Sequence, residues 1–169
     1  MSSQLRVDKI VPVDGAPTGG GGGIIQIKQT FLNTATSTTT SGSFTDISGM
    51  SVSITPKFNT SKIFVMITLG SISSAAGISV GFRLLRDSTA VGNAADTTLQ
   101  SGFANIYDGG AASLMSASHN FLDSPATTSA VTYKLQWRNS SGTTYLNRYS
   151  GSSDSYNGSS TITAMEVSA

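Results

Sequence analysis

The sequence predicts an all-β protein: an antiparallel β-sandwich of the jelly-roll kind, preceded by a short extended N-terminal segment and a glycine joint. Three observations lead there. Val131, Tyr133, Leu135 and Trp137 alternate with Thr132, Lys134, Gln136 and Arg138, apolar on one face and polar on the other. Short apolar runs recur along the chain between clusters of Gly, Pro, Asn, Asp and Ser, and no window carries a helical stripe. Gly19 to Gly23 are five consecutive glycines, a run whose ordering costs the most backbone entropy and which therefore acts as a flexible joint.

Taken in order, the first element is the stretch before the glycines. Its apolar residues Leu5, Val7, Ile10, Val11 and Val13 are too few to bury one another. Residues 1–23 thus read as a docking segment with its joint, ordered by a partner, and residues 24–169 as a head domain. Strands are expected over 24–31, 44–55, 62–69, 78–86, 103–107, 112–122, 131–138, 143–149 and 161–168. The separators are turn chemistry: Thr55 to Asn59 around Pro56, Ala75 to Gly77, Asp108 to Gly110, Asp123 to Pro125, and Asn157 with Gly158. Asn139 to Gly142 is short enough to predict a hairpin joining 131–138 to 143–149. About nine strands at this spacing suit a sandwich or jelly roll.

Composition narrows the function classes. Charged residues are 11% of the 169, whereas about 25% is usual, and Ser and Thr number 50. Hydroxyls therefore do much of the surface work. A net charge of +1 with scattered Lys and Arg leaves no footprint for nucleic acid. The absence of Cys excludes disulfides and thiolate metal sites. The N-terminus lacks the apolar stretch of a secretory signal, and no run reaches the length of a membrane span. A small foot, a joint and a β head are the layout of an appendage rather than of an enzyme.

The run from Lys62 to Leu69 breaks the alternation. Ile63, Val65, Ile67 and Leu69 share one face, yet Phe64 and Met66 make the other face apolar too. Either a loop covers that second face or a neighbouring subunit does. Low surface charge and missing disulfides favour the subunit, which makes Phe64 and Met66 the expected interface residues.

Catalytic and metal readings find little support. His119 is the only histidine, and a triad drawn from it, Asp123 and one of many serines would rest on abundance alone. It reads as a satisfied or exposed strand histidine. No close carboxylate pair in an apolar setting occurs. The five glycines are not a phosphate loop, since no Lys-Ser/Thr and no helix follow. Asp96, Asp108, Asp123 and Asp154 sit in turns, where Asp is favoured without any metal. No cofactor, metal or enzymatic activity is expected. Tyr156, with Asp154 and Asn157 in the polar loop 149–160, can either be ordinary solvated loop or stack on and hydrogen-bond a receptor. Trp137 shares a face with Val131, Tyr133 and Leu135 and belongs to the core.

Leu5 to Gly15, the glycine run and Ile24 to Ile27 together resemble the start of small fibre-type structural proteins of marine tailed bacteriophages. Ser51 to Pro56, Ser61 to Met66, Phe82 to Ser88, Phe121 to Thr128 and Ser160 to Val167 are similar to motifs of that group. The resemblance implies a trimeric jelly-roll head of the C1q and tumour-necrosis-factor type and an N-terminal segment that docks onto another virion protein. The expectation is a homotrimeric short tail fibre or spike in the virion, with a host-surface glycan or protein as a possible further partner and with neither nucleic acid nor membrane insertion. A capsid decoration or head-fibre protein is the alternative, and a polysaccharide-degrading enzyme a third.

Overall fold

The computed structural model describes residues 23–39, 42–95, 101–109, 113–151 and 157–168, and among these every regular element is a strand. In chain order they are β1 (Ile24–Leu32), β2 (Thr36–Thr38), β3 (Thr45–Ile54), β4 (Lys62–Ser74), β5 (Ile78–Arg86), β6 (Thr89–Ala90), β7 (Ala104–Asp108), β8 (Met115–Asp123), β9 (Val131–Asn139), β10 (Thr144–Leu146) and β11 (Ser160–Val167). One sheet runs β1-β11-β4-β8, and β10 and β2 continue it along β4 beyond the end of β11. The other runs β3-β9-β5-β7, with the short β6 at the tip of β5. All pairings are antiparallel. Leaving aside the short β2, β6 and β10, successive strands change sheets at every step except β5 to β7, which is the jelly-roll path the sequence predicted.

Alternation decides what lies between the sheets. Ile63, Val65, Ile67 and Leu69 of β4 face Val80, Phe82 and Leu84 of β5 and Tyr133, Leu135 and Trp137 of β9 across one core. Each such side chain contributes about 1.5–3 kcal/mol when buried. In β3 the inward parity shifts, from Ile47 to Met50, Val52 and Ile54. The shift is a bulge at Gly49, whose φ of +80° suits glycine and where an added Cβ would meet Leu32 Cδ1 at 2.9 Å.

Three expectations are corrected. The run 131–138 does not form a hairpin with 143–149. Both edges of β9 are already taken, by β3 and β5, so the chain crosses to the other sheet and β10 pairs with β4 and β2. The strand expected over 143–149 is also shorter, because Asn147 takes φ +64° and ends it. Conversely, β4 runs past the expected Leu69 to Ser74, through an irregularity between Leu69 and Ile72.

Asn147 earns its unusual backbone by what its side chain does. It is buried, and its Nδ2 donates to Leu32 O (2.9 Å) and Thr34 O (3.1 Å) after β1. Its Oδ1 accepts from the Ser160 hydroxyl at the start of β11 (2.7 Å), and its backbone N–H donates to Ser71 O in β4 (2.7 Å). One residue thus joins four strands where β11 gives way to β10. Asn147→Ala should destabilise the fold by about 3 kcal/mol, through stranded buried partners. Asn147→Asp keeps the shape but cannot donate, and should lose at least as much. Thermal unfolding checks both, with the Ala variant melting roughly 6–12 °C lower.

A candidate assembly face

The outer side of the four-stranded sheet can be assembled from register alone, since paired residues of antiparallel strands share a face. One row reads Ile27, Met165, Phe64, Leu122, across β1, β11, β4 and β8. The next reads Gln29, Thr163, Met66, Asn120, and the third Phe31, Thr161, Thr68, Ser118. At the other end Ile24 pairs with Val167, and Val167 with Lys62. Lys62 is the one charged residue in these rows.

The first of these rows is apolar throughout, and large apolar side chains of the face are exposed among the described residues. Ile27 is 55% exposed, Phe31 59%, Leu122 48% and Met66 39%, while Phe64 and Met165 are half-buried by their neighbours. Among the described residues, no loop covers Met66. Exposed apolar side chains thus occur on β1, β4 and β8, joined through half-buried Phe64 and Met165.

Strand β1 sharpens the point. Its outward residues are Ile24, Ile27 and Phe31 with Gln29, while inward it carries Gln26, Lys28 and Thr30 before Leu32. A solvent-washed edge strand has the opposite arrangement. The inward polar groups have work to do: Thr30 Oγ1 donates to Ser51 O (2.6 Å), and Gln26 Nε2 donates to Thr55 O (2.7 Å) and to Glu166 Oε2 (2.6 Å). Sequence reasoning found Phe64 and Met66 but missed Ile24, Ile27, Phe31, Leu122 and Met165. The register shift between Ile24 and Gln26 breaks the parity of β1, so no simple alternation exposes its outward set.

The remaining predicted residues fall as follows. Trp137 is 2% exposed, in the core as expected. His119 is neither satisfied nor exposed: it is half-buried on the inward side of β8, stacked on Phe103 at 4.7 Å, and its buried Nε2 has no hydrogen-bond partner. It packs as an aromatic plate over the edge of the core. Asp123 lies four residues along the same strand, so ~13 Å of backbone separates it from His119. Both oxygens of Asp123 accept from Arg86 (2.9 and 2.7 Å), and Oδ2 also accepts from the Tyr133 hydroxyl (2.6 Å). Burial, reinforced by this carboxylate, drives the Tyr133 phenol far above its ordinary range. Asp108 accepts from the Ser113 backbone N–H and hydroxyl. No cluster of metal-ligating side chains occurs among the described residues. Asn157 is exposed just before β11, whereas Tyr156, Asp154, Asp96 and the whole docking set Leu5, Val7, Ile10, Val11 and Val13 lie outside the described residues.

No protein-family model matches the chain, and no curated protein matches it in sequence. Solved structures offer distant likenesses. A structure of the infectious bursal disease virus Gx strain is 13% identical, with a TM-score of 0.39 over 99% of this chain and 44% of that one. The VP2 subviral particle of the same virus is 14% identical, with a TM-score of 0.40 over 93% of this chain and 43% of that one. The tripod from the baseplate of bacteriophage Tuc2009 is 13% identical, with a TM-score of 0.30 over 99% of this chain and 78% of that one. The chain thus spans less than half the length of the bursal disease virus chains. At TM-scores below 0.5, these likenesses say nothing about what the chain does.

One ionisable group sits at the rim of the face. Glu166 is fully buried between Gln26 and the 55–61 loop, and accepts from the Lys57 N–H (2.6 Å) and the Phe58 N–H (3.4 Å). Burial by itself would raise its carboxyl, but the hydrogen bonds from Gln26 and these backbone groups outweigh burial, and the net direction is down from 4.5. A depressed folded value means stabilisation that is complete above 4.5 and lost as pH falls through the folded value. Glu166→Gln should therefore cost about 1–3 kcal/mol at neutral pH. The gap in melting temperature between wild type and variant should narrow at pH 3, which thermal unfolding at the two pH values checks.

Proposed function

We propose that this chain is a virion structural protein that acts as a short tail fibre or spike, built as a homotrimer through the outer face of its four-stranded sheet. The row Ile27, Met165, Phe64, Leu122 carries the reading, because a sandwich has only one interior and this row is a second apolar layer outside it. A closed symmetric assembly buries the same patch on every copy and leaves no open apolar surface to propagate aggregation. The fibre-type motifs noted in the sequence supply the virion context. In this reading the role is mechanical and adhesive rather than catalytic. Residues 1–23 dock onto another virion protein, and the loop carrying Asp154, Tyr156 and Asn157 is the part that contacts a host glycan or protein.

Phe64→Asp would place a charge at the centre of the contact, where an unpaired buried carboxylate is strongly unfavourable. Sedimentation equilibrium should give three times the chain mass for wild type and the single-chain mass for Phe64→Asp, with the far-ultraviolet spectrum unchanged. A monomeric wild type over a wide concentration range would overturn the trimer.

Removing residues 1–23 should leave the oligomeric mass intact and abolish incorporation into particles. Imaging a label on the full chain in whole particles separates the tail position from the capsid position that a decoration or head-fibre protein would occupy.

A further inference from the structure

The core changes character at the end of the sandwich where β10 and β2 extend the sheet along β4. Leu146 and Ile72 pair there as two large, fully buried apolar side chains. Two residues along each strand, the next row is Thr144 with Ser74 on one side and Thr38 on the other, again buried and facing inwards. Asn139, the last residue of β9, meets this row from the opposite sheet at 1% exposure. Its Nδ2 donates to Gly142 O (2.8 Å) and Thr38 O (3.4 Å), which fixes the amide against the hydroxyl row. Three buried oxygens remain without a hydrogen-bond partner among the described residues: Asn139 Oδ1, Thr144 Oγ1 and Ser74 Oγ.

We propose that this end of the core binds one internal water molecule, shared by Asn139 Oδ1, Thr144 Oγ1 and Ser74 Oγ. Buried oxygens left unpaired are strongly unfavourable, and Ala or Val at 74 and 144 would avoid them. The amide oxygen can only accept and its Nδ2 is already committed, so the occupant has to donate; the two hydroxyls can do either. Three polar partners are the usual complement of a buried water. All three groups are neutral, which leaves nothing to offset the dehydration of a divalent cation. Room comes from the side chains themselves, because Thr and Ser follow Leu and Ile in the same positions of the ladder. The water braces a strand end on which the next loop rests: Ser74 O accepts from the Ser150 hydroxyl (3.1 Å) and Ser73 Oγ from the Ser150 N–H (3.2 Å), where the loop 149–160 begins.

The test compares the full chain with Thr144→Val, which keeps the β-branched shape, and Ser74→Ala, at equal chain concentration. An unpartnered hydroxyl replaced by an apolar group of similar shape raises stability, whereas one bonded to water lowers it when lost. Each variant should therefore melt roughly 2–6 °C lower, and the double variant should lose clearly less than the sum, because both substitutions remove the same water. A crystal structure of the full chain should show a single peak about 3 Å from all three oxygens. Exchanging sodium for choline at constant ionic strength should leave the melting temperature unchanged. A melting temperature that rises or stays level in either single variant, additive losses, or no peak at the three oxygens would overturn the water. So would a dependence on sodium, which would put a monovalent cation in its place. None of these outcomes bears on the assembly face, which is read from mass alone.

Discussion

Strand β4 carries the constraint on which the rest of the molecule depends: it is apolar on both sides and lies inside its sheet, between β11 and β8. Ile63, Val65, Ile67 and Leu69 are fully buried by the second sheet. Phe64 and Met66 point away from that core, and a two-layer sandwich has nothing to put over them. The neighbours conform to β4 rather than to solvent. Met165 of β11, Leu122 of β8 and Ile27 of β1 extend the same row. β1 turns Gln26 and Thr30 towards the protein, while Ile27 and Phe31 face out with Gln29.

Polar groups are concentrated where strands change sheets, and they are mostly neutral or singly paired. Asn147 gathers β1, β4, β10 and β11. Asp123, with Arg86 and Tyr133, ties β8 to the opposite sheet. Glu166 holds the loop between β3 and β4 against β1 and β11. Backbone groups in such crossovers have lost their ladder partners and need substitutes, which explains why buried side-chain hydrogen bonds collect there. A chain with no cysteine and few charges relies on these clasps to fix the path between sheets.

The two outer faces therefore divide by chemistry. The four-stranded sheet shows one wholly apolar row, with hydroxyls and amides among Met66 and Phe31 beside it. The five-stranded sheet shows arginines, amides and hydroxyls.

Much of the fold was legible in the chain because alternation is a local property. The inward set of β9, the two-sided character of β4 and the core position of Trp137 all follow from neighbours two residues apart. Register is not local. The pairing of β10 with β4 rather than β9 depended on which strand edges were already filled, and the outward set of β1 on a bulge that shifts parity by one residue. Phe64 and Met66 could be singled out from sequence because their strand is regular, whereas Ile27, Leu122 and Met165 became their neighbours only once four strands were set side by side. By itself the sequence determined which residues avoid water. The tertiary structure decided which of them avoid it together, because a sheet face is made by pairing strands far apart in the chain.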